Sequence, residues 1–302
     1  MPIHLPRQSR AAPHKRLIEH ALQNYREQRT RLYALVFLTC LSAIPCAWAG
    51  QPFFDAHLHY NAEDLEKHPP EKIVSILANQ NLSKAVVTGR PPEQALLLYE
   101  RAPSLILPIL GVYRTQAEKQ TWMNDSSLPK RVENSLAEGK WRGIGELHIF
   151  ATDRRSPVFL RIVELAAMHS VPLLMHCDPA VIDTLFAHAP EAKVVWAHAG
   201  TFPYPSLLRD YLGRYPNLYI DLSVRDDRVA PFGTIAEPWE WILMEFSDRF
   251  LVGIDTYRTE RWDSYPKLVK KTQTWLDQLP LEASAAISYR NGERIFANNH
   301  SD

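Results

Sequence analysis

Residues 53–60 read Phe-Phe-Asp-Ala-His-Leu-His-Tyr, so that polar and apolar side chains alternate after a leading aromatic pair. A period of two is typical of a β-strand and places Asp55, His57 and His59 on one face. Two imidazoles at i and i+2 of a strand can both bind one cation, at about 2.0–2.1 Å from a zinc ion. Two surface histidines flanking an apolar residue give the same pattern, so the pair alone leaves both interpretations open.

The chain after residue 50 repeats one unit, a short apolar strand followed by a longer amphipathic helix. Near-continuous apolar strands are typical of a parallel sheet covered by helices. Eight such pairs in about 250 residues predict an α/β fold, a (β/α)8 TIM barrel, although a doubly wound open sheet alternates similarly. The predicted pairs are 53–59 with 63–80, 83–88 with 92–102, 105–112 with 127–139, 142–147 with 157–169, 171–176 with 180–189, 193–198 with 204–214, 217–222 with 237–247, and 249–255 with 264–279. Residues 281–298 predict an additional C-terminal helix.

The N-terminal segment differs in composition from the rest of the chain. An uncharged apolar run at 32–46 follows a basic stretch and precedes Ala-Trp-Ala at 47–49, which is the pattern of a secretory signal peptide cleaved after Ala49. A membrane anchor is the alternative, but the run is shorter than the ~20 residues of a spanning helix and contains Pro45. We therefore expect a periplasmic or secreted protein, with inner-membrane anchoring as the alternative.

Composition indicates an ordinary globular protein. The 302 residues are 46% hydrophobic and 23% charged, with a formal net charge of zero, so there is no basic footprint for nucleic acid. We expect residues 1–49 to be an extension with the signal peptide and residues 50–302 to form one domain. Cleavage would leave Cys177 as the sole cysteine and hence no internal disulfide.

Side chains that can bind metal recur at the predicted strand ends. Enzymes with this barrel place their chemistry at the C-terminal ends of the strands. A single histidine there is usually structural, but six ligand-type residues at five strand ends are hard to obtain by chance. They are His57 and His59 on the first strand, Glu146 on the fourth, His176 on the fifth, His198 on the sixth and Asp255 on the eighth.

This combination of residue types suits a hydrolytic metal site. Neutral imidazoles and a carboxylate hold a divalent ion, and an open position keeps a water whose pKa falls toward ~7. A second carboxylate oxygen can take the proton of that water and pass it to the leaving group. A small-molecule substrate is therefore expected.

Five motifs together resemble the amidohydrolase superfamily, in particular its amidohydrolase-related branch of metal-dependent hydrolases, lactonases and non-oxidative decarboxylases. The resemblance covers residues 53–298, and the closing segment 287–296 also resembles the branch's last helix. The motifs are Asp-Ala-His-Leu-His at 55–59, Gly-Ile-Gly-Glu at 143–146, Pro-Leu-Leu-Met-His at 172–176, Val-Trp-Ala-His-Ala-Gly at 195–200 and Val-Gly-Ile-Asp at 252–255.

The resemblance implies roles for these residues. His57, His59 and His176 would bind the metal, and Asp255 would complete the shell and serve as the proton-transfer base. His198 would bind a second metal, or hydrogen-bond the attacking water or the developing charge on the substrate.

The number and kind of metal ions stay open at this stage. Glu146 is either a bridging ligand of two ions or a carboxylate that orients His57 or His59. Imidazole and carboxylate ligands suit zinc, while manganese, iron and cobalt are compatible.

The leading functional hypothesis is hydrolysis of an ester, lactone or amide bond in a small substrate, with an anionic group on that substrate left open. The alternatives are a metal-dependent decarboxylase of an aromatic or unsaturated acid and a non-catalytic barrel that binds metal or ligand. Arg225, Tyr257 and Arg258 are the weaker candidates for substrate binding, because an arginine at the rim can pair with a carboxylate.

Overall fold

A computed structural model describes residues 51–296 of the chain. The predicted signal segment and the last two residues of the predicted final helix lie outside the described residues. Within residues 51–296, no helix is both long enough and apolar enough to cross a membrane.

Eight parallel strands form the centre of the described chain. One sheet has the order β1-β2-β3 and the other the order β4-β5-β6-β7-β8. The predicted alternation of parallel strands with helices is thereby confirmed. The strands are β1 Phe53–His59, β2 Leu82–Thr88, β3 Ile106–Pro108, β4 Ile144–Ile149, β5 Leu173–Cys177, β6 Val194–Trp196, β7 Leu218–Asp221 and β8 Phe250–Leu251.

Backbone hydrogen bonds join the two sheets into a closed ring. Leu110, just beyond β3, forms a parallel bridge with Ile144 of β4. On the other side, the amide of Ala56 in β1 donates to the carbonyl of Val252 at 2.9 Å, and the amide of Asp255 donates to the carbonyl of His57 at 2.7 Å. Closure brings the first and last strands side by side, and with them the histidine pair and Asp255.

Helices follow the strands and cover the outside of the ring. Ten α-helices lie between or after the strands up to residue 276, and three further helical segments end the described chain. They are α1 Pro70–Ala78, α2 Glu93–Arg101, α3 Leu128–Ala137, α4 Pro157–Met168, α5 Pro179–His188, α6 Pro205–Arg214, α7 Asp226–Val229, α8 Glu237–Glu245, α9 Glu260–Asp263, α10 Tyr265–Leu276, α11 Leu281–Ala285, a π-helical turn Ala286–Arg290 and α12 Asn291–Phe296.

Two apolar clusters follow from this arrangement. The larger one lies between the strands and the surrounding helices. The smaller one fills the ring, with side chains such as Ala56, Val86 and Leu174, so that the interior is packed rather than a pore. Phe54 at the lower end of β1 stacks on Phe296 of α12 with ring centroids 5.9 Å apart. The C-terminal helix therefore covers the end of the barrel opposite to the strand ends that carry the histidines.

Several elements are shorter than the sequence pattern predicts. The helix predicted at 63–80 consists of a 3-10 turn at Ala62–Asp64 and then α1, because Pro70 suits the first position of a helix and has no amide to donate further inside one. The strands predicted at 193–198 and 249–255 leave the sheet early, after Trp196 and Leu251. Their last residues turn into the barrel mouth.

Candidate metal centre

The six predicted ligand residues meet at the C-terminal mouth of the barrel. Their ligand atoms form three overlapping groups of three, in each of which the atoms lie within 4.8 Å of one another. The groups are His57 with His198 and Asp255, His57 with His59 and Glu146, and Glu146 with His176 and His198. His176 thus joins the cluster through Glu146 and His198.

The histidine pair of β1 is buried, with His57 fully inaccessible and His59 7% exposed. Their Nε2 atoms lie 3.2 Å apart. The Nδ1 atom of His57 lies 2.8 Å from Oδ2 of Asp221, and a carboxylate only accepts, so Nδ1 carries the hydrogen. In the neutral ring the lone pair of Nε2 then points at His59 and the centre of the cluster.

Asp221, the last residue of β7, orients a second imidazole through Ser223. The Ser223 hydroxyl donates to Oδ2 of Asp221 at 2.5 Å, and its oxygen lies 2.9 Å from Nδ1 of His198, from which it accepts. The backbone amide of His198 also donates to Oδ2 of Asp221, at 3.3 Å. Both His57 and His198 therefore present Nε2 to the same space.

Glu146 lies in the middle of the imidazoles. Its Oε1 is 2.9 Å from Nδ1 of His176 and 3.0 Å from Nε2 of His198. Its Oε2 is 3.4 Å from Nε2 of His59 and 3.4 Å from Nε2 of His148. Each carboxylate oxygen therefore has its own pair of histidines.

Asp255 completes the ring of ligand atoms from the β8 side. Its Oδ1 lies 3.3 Å from Nε2 of His59 and 3.8 Å from Nε2 of His57, while Oδ2 lies 3.8 Å from Nε2 of His198. Oδ1 is buried and has no hydrogen-bond partner among the described residues. A buried carboxylate oxygen without a partner is costly, and a cation at this place would supply one.

Charge within the cluster is strongly coupled. Burial alone would lower the pKa of His57, but the carboxylates of Asp255 and Glu146 outweigh it and raise that pKa well above its usual value. Burial alone would raise the pKa of Glu146, but the imidazoles of His148 and His57 hold it well below the usual value. The two carboxylates thus favour a positive charge among the imidazoles, which a divalent cation can supply. The donor set, the orphaned Asp255 oxygen and the convergent Nε2 atoms fit a bound metal ion.

His148 lies in the cluster although sequence reasoning did not include it among the ligands. It stacks on His176 with ring centroids 4.2 Å apart, and its Nδ1 lies 3.0 Å from the Tyr113 hydroxyl. Burial lowers its pKa to about 2, only partly offset by Glu146. In the sequence, the spacing of two residues between Glu146 and His148 on one strand already places both side chains on the same face.

Close backbone packing lets the strands approach around these side chains. A Cβ atom on Gly253 would lie 2.8 Å from Cβ of His57, so glycine is required where the segment after β8 passes β1. His198 and Asp255 adopt left-handed backbone conformations, with φ of 58° and 55°. Such conformations cost of order 1–3 kcal/mol and cluster at functional sites. They turn both side chains from the strand direction into the mouth.

Asp55 shares the inward face of β1 but points away from the ligand atoms. Its carboxylate accepts from the amides of His57 and Ile254, both at 3.1 Å, and from the Tyr265 hydroxyl at 2.7 Å. Burial raises its pKa to about 7. Asp55 therefore ties β1 to the segment after β8.

The three weaker candidates for substrate binding lie at different places. Arg225 donates through Nε to the carbonyl of His198 at 2.7 Å and through Nη2 to that of Gly200 at 3.4 Å, so its guanidinium supports the turn after β6. Tyr257 is 48% exposed on the loop after β8, and the guanidinium of Arg258 lies 5.3 Å from its ring centre. These two residues line an outer surface pocket next to α9.

Asp221 generates a first prediction. Asp221→Asn keeps the shape but removes the charge that fixes the hydrogens on His57 and Ser223, so we expect the affinity for metal to fall by about 10–100-fold. Competition with a chromophoric chelator measures this. Asp227→Asn, an exposed aspartate after the same strand, is the matched control. Unchanged affinity in a folded Asp221→Asn protein would show that the imidazoles are oriented without it.

Comparison with known proteins places the fold. An amidohydrolase from Burkholderia multivorans with bound Zn has a TM-score of 0.56 and 17% identity, over 82% of this chain and 99% of that chain. A probable 2-pyrone-4,6-dicarboxylic acid hydrolase from Acinetobacter baumannii with citric acid bound has a TM-score of 0.56 and 16% identity, over 82% and 100%. An organophosphorus hydrolase from Deinococcus radiodurans has a TM-score of 0.56 and 15% identity, over 84% and 95%. At such identities the likeness concerns the fold.

Sequence comparison gives the family. No curated protein matches the chain. A family model described as amidohydrolase matches residues 54–297, which runs from the second residue of β1 through β8 and includes the six ligand-type residues. The chain therefore belongs to the amidohydrolase family.

Proposed function

We propose that this metal-dependent hydrolase uses water to cleave an ester, lactone or amide bond in a small anionic substrate. The observation that carries the proposal is the convergence of four imidazoles and two carboxylates at the barrel mouth, with Oδ1 of Asp255 buried and unpaired among the described residues. The fold neighbours named as hydrolases support the same reaction class.

We propose zinc as the metal, held by residues from the set His57, His59, His176, His198, Glu146 and Asp255. The Zn-containing fold neighbour and the imidazole-rich donor set support this choice. A bound divalent ion would supply a nucleophile at neutral pH, because it lowers the pKa of water toward ~7, and would polarise the scissile carbonyl.

The chain's own residues then orient the reactants and move the proton. Asp255 has one oxygen toward His57 and His59 and the other toward His198, so one oxygen can hold the ion while the other accepts the proton of the attacking water. The same carboxyl group can return that proton to the leaving group. His198, oriented by Ser223, can hydrogen-bond the water or the developing negative charge.

Metal analysis combined with a substrate panel tests the proposal. Zinc-loaded protein is assayed on lactones, esters and amides with and without a carboxylate, and on carboxylated aromatics. Hydrolysis that is lost on chelation and restored by zinc is expected. Release of carbon dioxide without hydrolysis would instead indicate a decarboxylase, and stoichiometric metal with no turnover on any compound would indicate a binding protein.

Asp255→Asn separates proton transfer from metal binding. The amide keeps the shape and a weak oxygen ligand but cannot take a proton, so we expect turnover to fall by ~10²–10⁴-fold while most of the metal remains. Steady-state kinetics and metal analysis of the same preparation check this. Asp263→Asn, an exposed aspartate on α9 beyond the same strand, is the control. Near-normal hydrolysis by metal-loaded Asp255→Asn would place the base elsewhere.

Glu146 leads us to propose two ions. Its Oε1 faces His176 and His198 while Oε2 faces His59, an arrangement that supports a carboxylate bridging two sites. We expect about two ions per chain and the loss of one in Glu146→Gln, measured by elemental analysis after gel filtration. A single ion that Glu146→Gln retains in full would put Glu146 outside the coordination shell.

We also propose export with cleavage after Ala49, giving a periplasmic or secreted protein. The apolar run at 32–46 and the Ala-Trp-Ala triplet support this. N-terminal sequencing of exported protein is expected to start at Gly50. Retention of residues 32–49 would favour the membrane anchor.

A further inference from the structure

The loop after β3 is fixed against the metal centre at two points. The Tyr113 hydroxyl at its start lies 3.1 Å from the carbonyl of Glu146, to which it donates. The indole Nε1 of Trp122 near its end donates to the carbonyl of His148 at 2.9 Å. Between these two residues the chain makes a 3-10 turn at Glu118–Gln120, which packs against β4. The backbone of this turn is thereby held next to β4, the strand that carries Glu146.

Lys119, in the middle of that turn, is half-buried and lies within electrostatic range of the metal centre. The carboxylates of Glu146 and Asp255 attract its ammonium, the guanidinium of Arg90 repels it, and His148 is also within range. It makes no ion pair and no hydrogen bond within residues 51–296. The neighbouring Glu118 does not pair with it, because its Oε2 accepts from the amide of Arg114 at 2.7 Å.

Lys119 differs in this respect from the half-buried arginines of the strand-end loops. Each of those guanidinium groups has a partner that occupies it. Arg90 pairs with Glu63, Arg154 donates to the Ala151 carbonyl, Arg225 to the His198 carbonyl, and Arg261 to the carbonyls of Ile254 and Asp255. An ammonium taken partly out of water without a partner is unfavourable, and an anion that binds there removes the cost. Burial accordingly lowers the pKa of Lys119, although Glu146 opposes the shift.

A second side chain at this edge of the mouth is aromatic. Phe150 directly follows β4, is 45% exposed, and meets the ring of His176 edge to face at 6.3 Å. His176 in turn stacks on His148, the histidine with which Lys119 interacts. A cation and an exposed apolar ring therefore flank the same pair of imidazoles.

We propose that Lys119 binds the carboxylate of the substrate and that Phe150 contacts its unsaturated or apolar body. This inference rests on the proposed function and names its substrate class: a carboxylate carried on a flat, apolar skeleton. The ion pair forms in a partly desolvated place, where it is stronger than at an exposed rim.

Calorimetric titration of metal-loaded protein with benzoate tests the assignment without relying on turnover. Benzoate carries the proposed carboxylate and ring, and benzamide is its uncharged counterpart. In Lys119→Met we expect the Kd for benzoate to rise by about 10–100-fold, because a hydrogen-bonded charge partner is lost, and the Kd for benzamide to change by less than about threefold. Lys119→Arg should recover part of the affinity for benzoate. Lys130→Met, an exposed lysine on α3, is the control and should leave both values unchanged.

The outcomes separate this inference from the proposed hydrolysis. Equal benzoate affinity in wild-type and Lys119→Met, or no benzoate binding by the wild type at millimolar concentration, would overturn the role of Lys119. If the binding pattern holds while no compound of the panel is hydrolysed, the proposed function fails and the carboxylate subsite stands. If hydrolysis occurs but KM is the same in wild type and Lys119→Met, the proposed function stands and the carboxylate subsite at Lys119 fails.

Discussion

The buried carboxylate of Asp221 is the interaction on which the geometry of the site depends. It is fully inaccessible, yet it is satisfied by the Nδ1 hydrogen of His57, the amide and hydroxyl of Ser223 and the amide of His198. These groups come from β1, the turn after β6 and the end of β7, so one anion joins three parts of the barrel. Because it accepts only, it decides which nitrogen of each imidazole carries hydrogen. The ligand lone pairs are thereby aimed before any ion binds.

The barrel mouth also contains two further buried carboxylates, whose negative charges are balanced by the surrounding imidazoles. Glu146 and Asp255 are each only 4% exposed, and two unscreened carboxylates so close together would repel strongly. Five imidazoles surround them, those of His57, His59, His148, His176 and His198. The imidazoles hold the pKa of Glu146 low, and the two carboxylates in turn hold the pKa of His57 high. A positive charge at the centre of such a site stabilises it, and without that charge the two carboxylates repel each other. Its electrostatics and its proposed chemistry have the same origin.

The sequence allowed the barrel and the six ligand candidates to be predicted because both follow local patterns. Each candidate ends an apolar run, and in a parallel barrel all strand ends face one mouth. The role of Asp221 has no such local signal, since it depends on which strands become neighbours after closure. His148 has no local signal either, because its place in the cluster depends on contacts with His176 of the adjacent strand and Tyr113 of the β3 loop. The partners of Arg225 are backbone carbonyls of another turn, which residue types cannot reveal.

In the proposed site, metal binding and substrate selection fall to different parts of the molecule. The candidate ligand side chains lie on β1, β4 and β5 and in the turns after β6 and β8, and Asp221 of β7 orients two of them. Lys119 is held by the loop after β3, whose Tyr113 and Trp122 donate to the backbone carbonyls of Glu146 and His148. The Tyr113 hydroxyl also lies 3.0 Å from Nδ1 of His148. Lys119 makes none of these contacts, so a change at position 119 leaves them in place. Selectivity for one anion can therefore be altered in the β3 loop without rebuilding the metal centre, which is the arrangement expected of a barrel whose chemistry is carried by strands and whose specificity is carried by loops.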